Sequence, residues 1–217
     1  MAAGDNWVTL SFDNGPDPDV TPEVLKVLRD HGVLTTFFVI GERLRDPARR
    51  ALCERAHDEG HWIGNHSYNH IMPLGMSGDP TIAEREIGAA QRLIGSLARP
   101  QPLFRPAGAL GAIDKRLFSA GVVDFLLKGG YTCVLWNSIP QDWDNPVGWV
   151  ERALDQCEET PWPFVVLHDI QTGAMRQLDR FLTALEKRNK TVVQQFPPDC
   201  VPIVGGRVVT PIDAYVA

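Results

Sequence analysis

Short apolar runs alternate with amphipathic stretches along almost the whole chain, and this alternation limits the fold more than any other feature. Residues 7–12, 35–40, 61–64, 103–105, 131–136, 164–167 and 191–193 have the β-branched, aromatic or apolar character of strands. Between them the apolar residues recur at helical spacing. Val20, Val24, Val27 and Leu28 share one face, as do Ile87, Ala90, Ile94 and Leu97 after Asp79-Pro80. Residues 47–59 and 114–128 read as helices, and Val150, Ala153, Leu154 and Cys157 stripe another. Leu178, Phe181, Leu182 and Leu185 stripe the last. Gly32, Gly60 and Gly129-Gly130 supply the stops. Six strand–helix alternations and a closing strand predict a parallel α/β architecture, not a bundle or a sandwich. Periodicity alone permits an open sheet or a barrel. The tail beyond Pro197 reads as a strand or as a cover over one end.

No internal repeat or low-complexity linker interrupts the 217 residues, so residues 1–217 are expected to form a single domain. The formal charge of −6, without a basic run, argues against nucleic acid or an anionic membrane as partner. No stretch approaches ~20 consecutive apolar residues. The start lacks the basic-then-apolar order of a leader, which gives a cytoplasmic expectation. Cys53, Cys133, Cys157 and Cys200 are widely spaced and read as reduced, structural thiols.

The polar candidates lie where predicted strands hand over to loops, the edge at which β/α folds bind ligands. Asp13 and Asn14 end the first apolar run and lead into Gly15-Pro16. His66 and His70 follow the third run, four residues apart, a spacing that can converge on one metal. Arg105, Asp142-Trp143 and His168 hold comparable positions later in the chain. On residue types alone, Arg105 reads equally as a surface cation, Trp143 as a packing aromatic and Asp142 as a loop anchor. Asp169 reads as a structural cap. Carboxylates, paired imidazoles and a further histidine together suggest metal-assisted hydrolysis.

The motifs Ser11-Phe12-Asp13-Asn14-Gly15-Pro16 and His66-Ser67-Tyr68-Asn69-His70 resemble the first two motifs of the polysaccharide deacetylase family. This is carbohydrate esterase family 4, with NodB-like homology. Weaker agreements follow in family order at Arg105-Pro106, Asp142-Trp143 and Leu167-His168. The resemblance implies a distorted (β/α) barrel. It also implies roles: Asp13 as general base tethered by Arg105, His168 as general acid tuned by Asp142, and a divalent metal held at positions 14, 66 and 70. The metal implied is zinc, with cobalt, manganese or nickel as alternatives.

Asn14 stands where the family has a ligand Asp, so it reads either as a neutral ligand or as a loop-anchoring residue in an inactive descendant. Other departures concern substrate. Ala107-Gly108 follow Arg105-Pro106 where the family has an aromatic turn, Ile139 replaces an Asp, and Val166 replaces a Leu. The resemblance implies hydrolysis of a non-peptide C–N bond, first of all N-deacetylation of an amino sugar or short oligosaccharide. The alternatives are hydrolysis of a small N-acyl or cyclic amide, a metal-free hydrolase or lyase that uses only Asp13 and His168, and a non-catalytic sugar- or metabolite-binding protein on the same fold. The expected partner is therefore a small N-acylated sugar or amide, with oligomeric state left open.

Overall fold

The computed structural model describes residues 6–217. The leader reading made above falls largely on residues 1–5, outside the described residues. Strand β1 (Trp7–Asp13) is the centre of the sheet. It is flanked in parallel by β2 (Thr36–Val39) on one side and β6 (Phe164–His168) on the other. From β2 the sheet runs in parallel through β3 (Trp62–Asn65), β4 (Leu103–Phe104) and β5 (Thr132–Cys133). A parallel bridge between Ser138 and Val165 joins the segment after β5 to β6 and so closes the ring. β7 (Thr191–Val193) pairs with Trp7 to Thr9 of β1, and β6 pairs from Thr9 onward. The result is a distorted β/α barrel, as the resemblance implies; the alternation alone implies only a parallel α/β architecture.

Helices α1 (Thr21–Asp30), α2 (Pro47–Asp58), α3 (Ala89–Ile94), α4 (Ala120–Lys128), α5 (Trp149–Glu159) and α6 (Leu178–Lys187) surround it. The predicted stripe of α6 is buried at Leu178, Phe181, Leu182 and Leu185. At ~1.5–3 kcal/mol per large apolar side chain, that face contributes on the order of 10 kcal/mol before conformational entropy is subtracted. Asp46 caps α2 by accepting from the amides of Ala48 and Arg49.

Two expected elements are shorter than their sequence suggests. The helix read over 114–128 begins only at Ala120, capped by Ser119 Oγ, which accepts from the Val122 amide. Residues before it are drawn into the C-terminal tail: Phe118 N donates to Tyr215 O, and Ala217 N donates back to Phe118 O. The strand read over 131–136 is reduced to Thr132–Cys133, because the Leu135 amide is taken by Cys200 O. The tail beyond Pro197 forms a hairpin, β8 (Ile203–Val204) and β9 (Arg207–Val208), whose first strand pairs antiparallel with β5. It extends the sheet at its edge.

Alternation along β1 prepares the site. Val8, Leu10 and Phe12 pack in the outer core with the helices. Thr9, Ser11 and Asp13, of opposite parity, are also buried, and they bring polar groups into the barrel. Among the described residues no helix is long and apolar enough to cross a membrane.

Candidate active site

Asp13 ends β1 beside His168, which ends β6, in direct register. Arg105 follows β4 and is fully buried. Its guanidinium donates to Asp13 Oδ1 at 2.8 Å, to Ser11 Oγ at 2.5 Å and to the carbonyls of Val134 and Leu135. The faces of Phe38 and Phe164, 4.0 and 4.7 Å from its central carbon, enclose it. Burial lowers its pKa, while the charge of Asp13 opposes that shift. A cation so placed holds Asp13 Oδ1 in one position. Arg105 is therefore a buried partner of Asp13 and not a surface cation.

His66 is oriented by its Nδ1, 2.9 Å from the Arg105 carbonyl. A carbonyl can only accept, so Nδ1 carries the proton and Nε2 keeps its lone pair. That Nε2 lies 3.5 Å from Asp13 Oδ2. The His70 ring sits 4.6 Å from that of His66, centroid to centroid. Burial pushes both histidines down to about 3, so both are neutral near pH 7, the form that binds metals. Asn14 completes this side. Its Oδ1 is buried and has no hydrogen-bond partner, an orphan acceptor of a kind native interiors rarely leave.

Opposite them, Asp142 is fully buried and grips His168 twice. Oδ2 accepts from the His168 backbone amide at 2.9 Å and Oδ1 from the ring Nδ1 at 2.8 Å. Burial pushes the His168 pKa down, but the bond to Asp142 and its charge outweigh that, and the net shift is upward. Nδ1 is thereby committed to Asp142. Trp143 packs edge-on against the ring, 4.8 Å away.

These groups line one cavity of about 370 Å³ together with Trp136, Ile139, Val166 and Ile170. Every sequence-selected site residue except the buried supports Arg105 and Asp142 faces it. Backbone strain gathers at the same place. Asn14, Ser67, His70, Leu110 and Gln141 all have φ between 51° and 72°, a region that Asn and His enter more readily than Ser, Leu or Gln.

Several supports carry no sequence signal. Glu86, buried on the π-helical turn Glu84–Gly88, accepts from the amides of Tyr68 and Asn69 and holds the histidine loop. Asn65 Oδ1 accepts from the Ser67 amide. Asp169 caps no helix backbone. It accepts from Thr21 Oγ1 at 2.5 Å and packs so closely on Gly15 that a Cβ there would lie 2.1 Å from its carboxylate. Burial pushes Asp169 up to about 7.

Three neutral donors therefore face the cavity: one amide oxygen and two imidazoles. Among the described residues no three His, Cys, Asp or Glu side chains form a metal-type cluster. The third donor beside His66 and His70 is an amide, Asn14, and not a carboxylate. The family model for polysaccharide deacetylase matches residues 2–121. The chain belongs to the polysaccharide deacetylase family. The peptidoglycan-N-acetylglucosamine deacetylase of Bacillus cereus is 36% identical over 167 residues, 75% of this chain and 72% of that protein. The chitooligosaccharide deacetylase of a Bradyrhizobium species is 34% identical over 192 residues, covering 88% and 81%. A T48 deacetylase solved with substrate superposes at TM-score 0.71 and 26% identity, over 90% of this chain and 96% of that one. This polysaccharide deacetylase family member is thus related to deacetylase-type hydrolases, with the family barrel and a neutral residue at position 14.

Proposed function

We propose that the protein hydrolyses the C–N bond of a small N-acylated molecule, with Asp13 as base, His168 as acid, and a divalent cation held by Asn14, His66 and His70. The observation that carries this reading is the pair of opposed devices on one cavity: a carboxylate held by Arg105 and an imidazole held by Asp142. The donor set fits a cation because Asn14 Oδ1 lacks any partner and the His66 tautomer leaves Nε2 free. When bound, such an ion supplies carbonyl polarisation and acidifies water. Zinc is the first ion to test, then cobalt, manganese and nickel.

The chain's own residues do the proton work. Arg105 occupies Asp13 Oδ1 and leaves Oδ2 to take a proton from the attacking water. His168, positively charged with Nδ1 on Asp142, releases the Nε2 proton to the departing nitrogen, so an amine and not an amide anion leaves. Products are a carboxylic acid and an amine, and the two side chains regain their states by net proton transfer through solvent. Trp143, against the His168 ring, fixes its plane and limits water on that side. Residues from β1 to β6 all contribute, so one unit over 1–217 is proposed to carry the whole site.

The relatives are named as deacetylases of N-acetylated glycans, which makes an acetyl group the first acyl group to assay. The test is amine release from small N-acetyl compounds after titration with each cation. Release should saturate with substrate and fall by about 10²–10⁴-fold in Asp13→Asn. A second reading, a non-catalytic binding protein, is favoured by the absence of a carboxylate among the three donors. Saturable ligand binding without amine release under any cation would support it.

A further inference from the structure

A second cavity, of about 340 Å³, opens at the other end of the barrel. Its inner side is formed by Trp62, Leu103 and Thr132, the first residues of β3, β4 and β5. His66 and Arg105, by contrast, follow the last residues of β3 and β4. The outer side comes from the C-terminal tail, through Phe196, Val201 and Val204. The two cavities share no lining residue. The volume lies in the range of small-molecule sites.

The floor is buried and mostly apolar. Leu103, Thr132 and Val201 are only 4%, 7% and 9% exposed. Thr132 Oγ1 is already engaged by the Gly205 amide, which donates to it at 3.0 Å. The Trp62 ring meets Phe196 edge-on at 5.5 Å, and Phe196 stacks on the buried Phe164 at 5.3 Å, so the aromatic wall is anchored in the core.

The mouth carries charge of one sign. The Arg99 guanidinium lies over the Trp62 ring, 3.8 Å from its centroid, and among the described residues it makes no ion pair or hydrogen bond. A guanidinium stacked on a ring keeps its in-plane N–H groups free for a carboxylate. No acidic side chain lines the cavity, although the chain has 27 acidic residues against 21 basic ones. Gln101 and Gln195, also in the lining, are neutral. Arg99 is exposed, so its charge is screened and adds selectivity, while the buried floor supplies the larger part of the affinity.

We propose that this cavity binds a monocarboxylate with a compact apolar body, the body seated on Leu103 and Val201 and the carboxylate turned toward Arg99. The site is independent of the hydrolase reading, because none of its residues belongs to the reaction. Benzoate and 4-phenylbutyrate are the probes. Acetate supplies the charge without the body, and benzyl alcohol the body without the charge. Each is titrated by calorimetry into the full chain without added cation, so that no carboxylate can bind a metal. The indole N–H resonances are followed by NMR, that of Trp62 being assigned by its loss in Trp62→Phe.

Both probes should saturate, with acetate about tenfold weaker or more, and benzyl alcohol about fivefold weaker. The Trp62 resonance should move with the same affinity. Arg99→Met, at an exposed position, should weaken benzoate about fivefold and leave benzyl alcohol unchanged. No saturation at about 10 mM probe, or a Trp62 resonance that stays in place whatever those of Trp136 and Trp143 do, overturns the site. Benzyl alcohol binding as tightly as benzoate, or benzoate binding Arg99→Met as tightly as wild type, overturns the carboxylate assignment. Acetate binding as tightly as benzoate overturns the role of the apolar floor.

Discussion

Asp142→Asn offers the sharpest separation of a mechanistic from a structural contact. In the wild type one carboxylate oxygen accepts from the His168 backbone amide and the other from its ring Nδ1. An Asn that keeps its oxygen on the backbone amide must point its NH₂ at Nδ1, which then has to be an acceptor. The ring proton moves to Nε2, and the imidazolium loses both its hydrogen bond and its counter-charge. A hydrogen bond to a charged partner contributes ~1.5–3 kcal/mol, so protonation of His168 should become about ten- to hundredfold less favourable. The assay is an NMR titration of the His168 ring protons in the folded, cation-free protein, with the pH profile of kcat/KM beside it. The alkaline limb of the profile should move to lower pH by the same factor. An unchanged titration in a variant whose fold is intact would refute the reasoning and reduce Asp142 to a loop anchor.

Three further outcomes are expected. Asn14→Asp should tighten divalent-cation binding roughly tenfold or more by calorimetry, because it adds a charge to a neutral donor set and Asp tolerates the φ of 72°; equal affinity would remove position 14 from the site. Arg105→Met should lower stability in urea by ~3–5 kcal/mol, since it leaves Asp13 buried without its cation; a loss below 1 kcal/mol would show that Asp13 is solvated. For Asp169 the folded pKa of about 7 exceeds the ordinary 3.8, so the folded state binds the extra proton and stability is lost as pH rises from about 4 to 7. Asp169→Asn should therefore gain up to about 4 kcal/mol on the wild type between pH 4 and pH 8 in paired urea melts; a constant difference would show that Asp169 ionises freely.

The parts of this molecule legible in its sequence were those set by local pattern. Apolar periodicity located the strands and the helical faces, because burial on one face of a repeating element leaves a period. The strand-to-loop positions of Asp13, Asn14, His66 and His168 followed from it, and the distorted barrel followed from the motifs. What stayed hidden depends on pairing across the fold. The Glu86 support of the histidine loop and the Asp169 tether to Thr21 join elements whose separation carries no periodic mark, and the pairing of Asp142 with His168 was implied by the resemblance alone. The shortened helix before Ala120 is the same kind of case, since Phe118 is claimed by the C-terminal tail. Helix propensity could not foresee that competitor.

Hydrolysis itself is tested most directly by running the reaction in ¹⁸O-water and weighing both products. With a small N-acyl substrate and saturating cation, the released carboxylic acid should carry one ¹⁸O atom and the amine none. Asp13→Asn, folded and cation-loaded, should release neither product above background. If the wild-type protein binds the substrate yet releases no labelled acid with zinc, cobalt, manganese or nickel, the site is a binding site and the assignment of Asp13 and His168 as base and acid is wrong.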